Sequence, residues 1–254
     1  MSNLPPEIHD YVVDLLHNEP ETLKKCCLVS KSWVPRTRKH LFAHVRFETK
    51  AGLGLWKEAF PDPANSPAHH ARILFIGCSD FIVAADAEVG GWVRTFSGIT
   101  SLDVENGKWF LNTSTASLAP FYKFTSTIKS FHMSPILLPC PQLFDLIRSS
   151  PLLEDLSLAG HHRSSGTDGN PHRAQDAVSP TPPPLTGSLN LTVLGGMGDT
   201  VRRLLDLPGG LHFRKLTFSW DLKEDQPRVT ELVEECSHTL EFLHIARDSH
   251  CTCI

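Results

Sequence analysis

The chain has 254 residues, of which 41% are hydrophobic and 20% are charged, and its formal net charge is −4. This composition is typical of a globular protein with a sizeable core, in one elongated domain or two small ones. The negative net charge argues against a general affinity for nucleic acid, and no run of 18 apolar residues is present to span a membrane.

The N-terminal segment and the cysteines indicate the compartment. The sequence MSNLPPEIHD has no basic stretch followed by an apolar one, so we expect no signal peptide. The seven cysteines are scattered, at positions 26, 27, 78, 140, 236, 251 and 253. An odd number without regular spacing argues against a disulfide framework. We therefore expect an intracellular protein, cytoplasmic or nuclear.

Three short helices are predicted in the first 47 residues. Pro5 and Pro6 suit the first turn of a helix, Pro20 can open a second one, and Ser30 or Ser32 can cap a third. The first helix carries an apolar stripe at helical spacing, made of Ile8, Val12, Leu15 and Leu16 and widened by Tyr11 and Val13. This stripe is large for so small a unit, so it packs either on the rest of the chain or on a partner.

Two blocks at a fixed separation resemble the F-box. The first is LPPEI at 4–8, followed by Leu16, and the second is CLVSKSW at 27–33, followed by LF at 41–42. The second block has a serine where LVCKxW is more usual, and LVSKSWVPRTRKHLF is similar to fungal forms of the motif. F-box helices dock on Skp1, the adaptor of cullin-RING ubiquitin ligases. The resemblance implies that the Skp1 contact and the local core come from Leu4, Pro5, Ile8, Leu16, Leu28, Val29 and Trp33.

Basic residues are concentrated in the same region. Residues 24–46 contain no acidic residue and seven basic ones: Lys24, Lys25, Lys31, Arg36, Arg38, Lys39 and Arg46. They could steer an acidic partner or form a solvated helix face. A DNA-binding helix-turn-helix is a third possibility, but the neighbouring apolar residues are better placed for contact with a protein.

Beyond residue 70 a short pattern recurs, apolar-x-x-Leu-x-apolar. It occupies residues 71–76, 99–104, 128–133, 153–158, 188–193, 213–218 and 240–245, with the central residues Leu74, Leu102, Phe131, Leu156, Leu191, Leu216 and Leu243. A period in the high twenties predicts a solenoid in which each short strand is followed by a returning segment. Helical patterns at 141–150, 199–207 and 228–237 lie between the strands. An α/β domain with evenly spaced strands is the alternative.

The repeats resemble leucine-rich repeats in a degenerate form, because most lack the asparagine or cysteine that usually closes the strand turn. The predicted fold class is therefore α+β or α/β. It comprises an F-box-like helical domain at 1–47, a linker at 48–70 and a leucine-rich-repeat-like α/β solenoid at 71–254. Residues 160–187 contain almost no large apolar side chains and predict a disordered insertion. There, Ser179 and Thr181 precede prolines and could accept phosphate; a passive surface loop is the alternative.

The residue after each central position should point away from the core. This row is polar, small and nearly uncharged: Asp103, His132, Ser157, Thr192, Thr217 and His244. It predicts a hydrogen-bonding surface for a protein substrate.

No pattern indicates catalysis or a metal site. The pairs His69–His70 and His161–His162 lack partners at a zinc spacing, and the glycines at 195–198 lack the lysine of a phosphate-binding loop. We therefore expect no cofactor, no metal and no enzymatic activity. The last four residues, CTCI, match a CaaX signal, so Cys251 could be prenylated and anchor the chain to a membrane; an ordinary frayed terminus is the alternative.

These patterns predict a substrate-recognition adaptor of an SCF-type ubiquitin ligase. Its partners would be a Skp1-like adaptor, a cullin reached through it, and an unknown protein substrate. Two alternatives stay open: a Skp1-binding scaffold that acts outside any ligase, and an unrecognised enzyme.

Overall fold

A computed structural model describes residues 5–77, 92–93, 95–105, 121–138, 141–162, 184–194, 198–220 and 226–247. The chain has a mixed α/β fold in which eight strands form one parallel sheet, with helices before and between the strands. This confirms the predicted mixture of helices and strands.

Three helices precede the sheet. They are α1 (Pro6–Leu15), α2 (Pro20–Val29) and α3 (Val34–Leu41), and each has a proline in its first turn. A proline is tolerated there because the first-turn N–H groups have no partner inside the helix. The observed bounds agree with the three predicted helices.

The strands follow one another across the sheet in chain order, and every neighbouring pair is parallel. They are β1 (His44–Phe47), β2 (Ile73–Ile76), β3 (Ser101–Glu105), β4 (Ser130–Leu138), β5 (Asp155–His162), β6 (Leu185–Leu194), β7 (Leu211–Trp220) and β8 (Phe242–Arg247). Strands β2 to β8 overlap the seven predicted segments. The first strand, HVRF, was not predicted, because its four residues contain only two apolar positions.

One apolar residue from each strand lies in a single row across the sheet: Val45, Leu74, Leu102, Phe131, Leu156, Leu189, Leu216 and Leu243. Consecutive members are 29, 28, 29, 25, 33, 27 and 27 residues apart. Leu191, the fifth of the seven predicted central residues, was expected at the place that Leu189 occupies, and that position is wrong. Leu189 and Leu191 are two residues apart on the same strand face and both are buried, so the alternation of apolar and polar residues does not show which of them belongs to the row.

Backbone geometry at the start of β6 fixes the register. The N–H of Ser188 donates to the carbonyl of Glu154 at 2.7 Å, and the register with β7 shifts between Gly187 and Ser188. Gly187 has φ = 87°, which side chains other than glycine rarely adopt. Ser188 consequently lies opposite Asp155, and Leu189 opposite Leu156.

Helices cover one face of the sheet and share a hydrophobic core with it. They are α4 (Lys50–Ala59), α5 (Pro141–Arg148), α6 (Gly198–Leu205) and α7 (Gln226–Glu235). Each contributes buried apolar residues to this core, among them Leu53, Ile147, Leu204 and Leu232. Helices α5 to α7 occupy the three segments predicted to be helical.

Two predicted boundaries differ from the structure. Residues 48–70, predicted as a linker, contain α4 and two 3₁₀ turns, Pro63–Asn65 and Pro67–His70. In α4, Trp56 lies 4.9–5.8 Å, between ring centroids, from four aromatic rings: Phe42, Phe47, Phe60 and Phe96. Residues 160–162 and 185–187, predicted as insertion, belong to β5 and β6, because these strands pair beyond their apolar segments. Residues 163–183, with Ser179 and Thr181, lie outside the described residues.

Candidate functional site

The first helix exposes an apolar stripe. Ile8, Tyr11, Val12 and Leu15 recur at helical spacing and are all exposed, Tyr11 by 62% and Leu15 by 63%. We call these four residues the α1 stripe. At the end of α2, Leu28 and Val29 are exposed by 87% and 67%. Within the described part of the chain, neither surface is packed into the core.

The interior of the three-helix unit uses other residues. The fully or almost fully buried ones are Val13, Leu23, Cys26 and Thr37. Thr37 also donates its hydroxyl to the carbonyl of Trp33 at 2.7 Å, which satisfies a polar group that would otherwise be buried unpaired. None of the four belongs to the core cluster of the sheet. The unit therefore packs around a small interior of its own and leaves its larger apolar side chains outside.

An ion-pair network holds α1 against α3. The Nε of Arg36 donates to Oδ1 of Asp14 at 2.6 Å, and its Nη2 donates to Oδ2. The Nε2 of His40 lies 2.7 Å from Oδ1, and it must donate because a carboxylate only accepts. Arg36, followed by His40, holds the pKa of the Asp14 carboxyl well below its usual range. This network fixes the orientation of α1 and of its stripe.

The residues predicted to contact Skp1 divide into three groups. Pro5, Ile8, Leu28 and Val29 are exposed. Leu16 and Trp33 are half-buried, and Trp33 lies 5.5 Å from His9 between ring centroids. Leu4 lies outside the described residues. Tyr11, Val12 and Leu15 also lie on the α1 stripe, but they were not predicted to contact Skp1. Their helical spacing from Ile8 already indicated that they share its face of α1.

The second candidate surface is the face of the sheet that points away from the core. One row across it reads Arg46, Phe75, Asp103, His132, Ser157, Asn190, Thr217 and His244. We call it the outer row. It contains five of the six predicted residues. The sixth, Thr192, lies two residues further along β6, opposite Ala159 and Ser219, and Asn190 takes its place. Because Leu189 rather than Leu191 lies opposite Leu156, the residue that follows it, Asn190, lies opposite Ser157.

Charge is concentrated at the β1–β4 end of the outer row. The guanidinium of Arg46 lies 3.9 Å from the ring centroid of Phe75, which is buried. Burial raises the pKa of the Asp103 carboxyl above its ordinary value. Its Oδ1 has no hydrogen-bond partner among the described residues, and the Nε2 of His132 lies 4.0 Å away. Oδ1 of Asp103 could therefore accept a hydrogen bond from a bound molecule.

The β5–β8 end of the outer row is neutral. Asn190 donates to the hydroxyl of Ser157 at 3.3 Å. In the adjacent row, the hydroxyl of Ser188 donates to the carboxylate of Asp155. At the last strand, the ring of His244 stacks on Phe242 with an interplanar angle of 8°. Small hydroxyl and amide groups of this kind suit hydrogen bonds to a polypeptide.

The described ranges contain no group of three or more His, Cys, Asp or Glu side chains that could hold a metal ion. No helix in them is long and apolar enough to cross a membrane. The side chains of His161 and His162 and the tail with Cys251 lie outside what the structure describes.

Comparison with protein-family models, with curated proteins and with solved structures finds no match to this chain.

Proposed function

We propose that this chain is the substrate-recognition adaptor of an SCF-type ubiquitin ligase, acting in the cytoplasm or nucleus. Its helical unit would bind a Skp1-like adaptor and, through it, a cullin, while the outer row would bind the protein to be ubiquitinated. The observation that carries this proposal is the exposure of the α1 stripe, Leu28 and Val29, in the segment that resembles the F-box.

The exposed apolar side chains support a protein partner. Burying a leucine side chain contributes roughly 1.5–3 kcal/mol, and a few well-packed residues, tyrosine often among them, carry most of the energy of protein interfaces. The stripe offers three aliphatic residues and one tyrosine on one helix face. A partner that covers them would remove from water a surface that this chain leaves exposed.

Charge on the same unit supports an acidic partner. Lys25, Lys31, Arg38 and Lys39 are exposed on or next to α2 and α3. Arg36 and Lys24 pair with Asp14 and Glu21, so they contribute less net positive charge. Exposed charges of one sign accelerate association with a partner of opposite charge more than they raise affinity.

The sheet supports the second half of the proposal. The parallel strands follow one another in chain order, and six of the seven spacings are 25 to 29 residues, which supports a leucine-rich-repeat-like solenoid. The spacing of 33 residues between β5 and β6 is longer than is usual for such repeats. Such a sheet presents one continuous outer face. The adaptor would act by proximity: it would hold a target near a ubiquitin-loaded enzyme and raise its effective concentration without chemistry of its own.

The test is a binding measurement between purified Skp1 and this chain. Leu28→Glu should weaken binding at least about tenfold, because it places a charge at an exposed apolar anchor. Leu55→Glu is the matched control, since Leu55 is exposed by 66% on α4 and outside the helical unit. A folded wild-type chain that does not bind Skp1 contradicts the proposal, and so does equal loss in both variants.

A second readout separates a ligase adaptor from a Skp1-binding scaffold. Once a target is known, its ubiquitination in a reconstituted ligase should be lost with Leu28→Glu and retained with Leu55→Glu. Skp1 binding without any ubiquitinated target would favour the scaffold.

A further inference from the structure

Five basic residues meet where the helical unit joins the sheet. Helix α3 packs against the second 3₁₀ turn, Pro67–His70. The N–H of Arg72 donates to the carbonyl of Ala43, just after α3, at 2.8 Å. These contacts bring the last turn of α3 next to the segment 69–72. We call the five residues the basic corner: Arg38, Lys39, His69, His70 and Arg72.

Positive charge in the basic corner is concentrated around His70. The ring centroids of His69 and His70 lie 3.9 Å apart. Burial lowers the pKa of His70, and so do the charges of the other four residues of the basic corner. A cation disfavours the protonated form of an imidazole only when it lies nearby. The five groups therefore form one cluster.

This charge is not neutralised within the described part of the chain. Arg36 and Arg46, its neighbours in the sequence, pair with carboxylates. Arg38, Lys39 and Arg72 form no ion pair with a described residue. Two of these three cations lie in the last turn of α3, where the helix carbonyls favour positive charge. Those carbonyls supply only about half of one negative charge, so an excess of positive charge remains.

The basic corner also has hydrogen-bond donors to offer. Nη1 of Arg72 donates to the carbonyl of Gly98 at 2.9 Å, and this bond uses one of the five N–H groups of the guanidinium. Nδ1 of His69 lies 2.9 Å from the carbonyl of Ser66, so it must donate and Nε2 is the nitrogen left for a ligand. His70 is half-buried, and the other four residues are exposed, so a ligand can reach them from solvent.

We propose that the basic corner binds a phosphate monoester dianion. Three permanent cations and two imidazoles exceed the charge that one carboxylate can neutralise. A phosphate monoester carries a charge of about −1.5 to −2 at neutral pH and has three strong acceptor oxygens. Hydrogen bonds from cations to such oxygens are among the strongest in proteins. A basic cluster around one histidine fits a single phosphate group.

A nucleic acid fits these observations less well. Its affinity comes from many phosphate contacts along a basic track. The basic corner is compact, and the chain as a whole has a net charge of −4. The favoured ligand is therefore one phosphate group, either on a small molecule or on a modified side chain of a polypeptide.

Nuclear magnetic resonance of the full chain, titrated with inorganic phosphate at neutral pH, tests this proposal. Sodium chloride keeps the ionic strength constant, so general screening does not change. We expect the imidazole signals of His69 and His70 to shift until they saturate. The signal of His244, on the last strand of the sheet, should stay in place.

Substitutions show which residues hold the phosphate. Lys39→Gln should raise the dissociation constant about three- to tenfold, because it removes one charge-assisted contact. Lys31→Gln is the matched control, since Lys31 is also exposed but lies outside the basic corner, and it should leave the constant unchanged. Arg38→Gln, at a second exposed position of α3, should weaken binding as Lys39→Gln does and serves as the test if Lys39→Gln folds poorly.

A peptide distinguishes the two sources of phosphate. The probes are a glycine-flanked phosphoserine peptide with blocked ends and the same peptide without phosphate. Tighter binding of the phosphopeptide than of inorganic phosphate would assign the site to a polypeptide partner. Equal affinity would assign it to a small phosphate-bearing molecule. The unphosphorylated peptide should not bind.

Three outcomes overturn the proposal. They are signal shifts that sodium chloride alone reproduces, equal loss of affinity in Lys39→Gln and Lys31→Gln, and tighter binding of a thymidine oligonucleotide than of phosphate. The last outcome would assign the surface to nucleic acid. None of these measurements involves Skp1, so this proposal and the adaptor proposal fail separately.

Discussion

The three N-terminal helices and the sheet place their apolar residues in opposite ways. Across the sheet, the row from Leu74 to Leu216 is almost completely buried. On the helices, Leu15 and Leu28 are among the most exposed large apolar residues. Both sets recur at the spacing of their element. Periodicity therefore shows that residues share a face, but it does not show what that face contacts.

Size explains the difference. Strands β2 to β7 each have a neighbouring strand on both sides, so successive units cover one another's apolar residues. A unit of about 40 residues buries a smaller fraction of its surface than a larger domain does. Strand β8 resembles the helices in this respect, because among the described residues it has a neighbour on one side only and exposes the residues that other strands bury.

The largest expected effect is on the buried row. Leu216→Ala should lower the free energy of unfolding by about 2–5 kcal/mol, because it removes a fully buried side chain and leaves a cavity. Urea denaturation followed by circular dichroism measures it.

The matched substitution in the helical unit is Leu28→Ala. Since Leu28 is 87% exposed, the change should stay within about 0.5 kcal/mol. Equal effects at the two positions would contradict the comparison between the regions.

A smaller effect is expected at the start of β6. Gly187→Ala should destabilise the chain by about 1–3 kcal/mol, because its positive φ disfavours a side chain. An added Cβ would also lie 1.9 Å from the carbonyl oxygen of Glu154. Thermal unfolding measures the loss. Gly54→Ala in α4 is the control, since its Cβ would meet nothing within 4 Å, and it should not destabilise the chain.

The smallest effect concerns the network between α1 and α3. Asp14→Asn should lower the melting temperature slightly at neutral pH, since partly exposed ion pairs contribute little. The folded pKa of Asp14 lies below the unfolded value of about 3.9. The stability that ionised Asp14 contributes to the fold is therefore complete above the unfolded pKa. It is lost as the pH falls from the unfolded pKa toward the folded one.

Melting curves of both chains from neutral pH to about pH 3 measure this dependence, and their difference should shrink in acid. Asp10→Asn, at an exposed position of the same helix, is the control for the loss of one negative charge from α1. A difference that is constant with pH would mean that the network does not stabilise the fold.

Much of the fold could be predicted because its elements carry strong local patterns. The seven central residues, six leucines and Phe131, located seven strands. Proline and helical spacing located α1 to α3, and helical spacing located α5 to α7. Strand β1 was missed because HVRF is short. Leu191 was predicted in place of Leu189, because both leucines are apolar and lie on the same face of β6. The position of Leu189 in the row is set by the hydrogen bond from the N–H of Ser188 to the carbonyl of Glu154. Register of this kind is set by contacts between distant segments, which no local pattern contains.

The candidate surfaces could be predicted in part. Ile8, Leu28 and Val29 were predicted to contact Skp1, and they are exposed. Tyr11 and Leu15 were not predicted as contact residues, although they lie on the same face of α1 as Ile8. Thr192 was placed in the outer row through the same error of register as Leu191. The network of Asp14, Arg36 and His40 joins residues 22 and 26 positions apart, so it becomes visible only in three dimensions.

The order of the strands has a consequence for how the sheet opens. Each strand pairs only with the strands before and after it in the chain, so the sheet can lose strands one at a time from an end. At the β1 end, Trp56 packs against Phe42, Phe47 and Phe96, whereas β8 exposes its core-facing residues. Protection of backbone amides against hydrogen exchange should therefore decrease from the middle of the sheet toward β8.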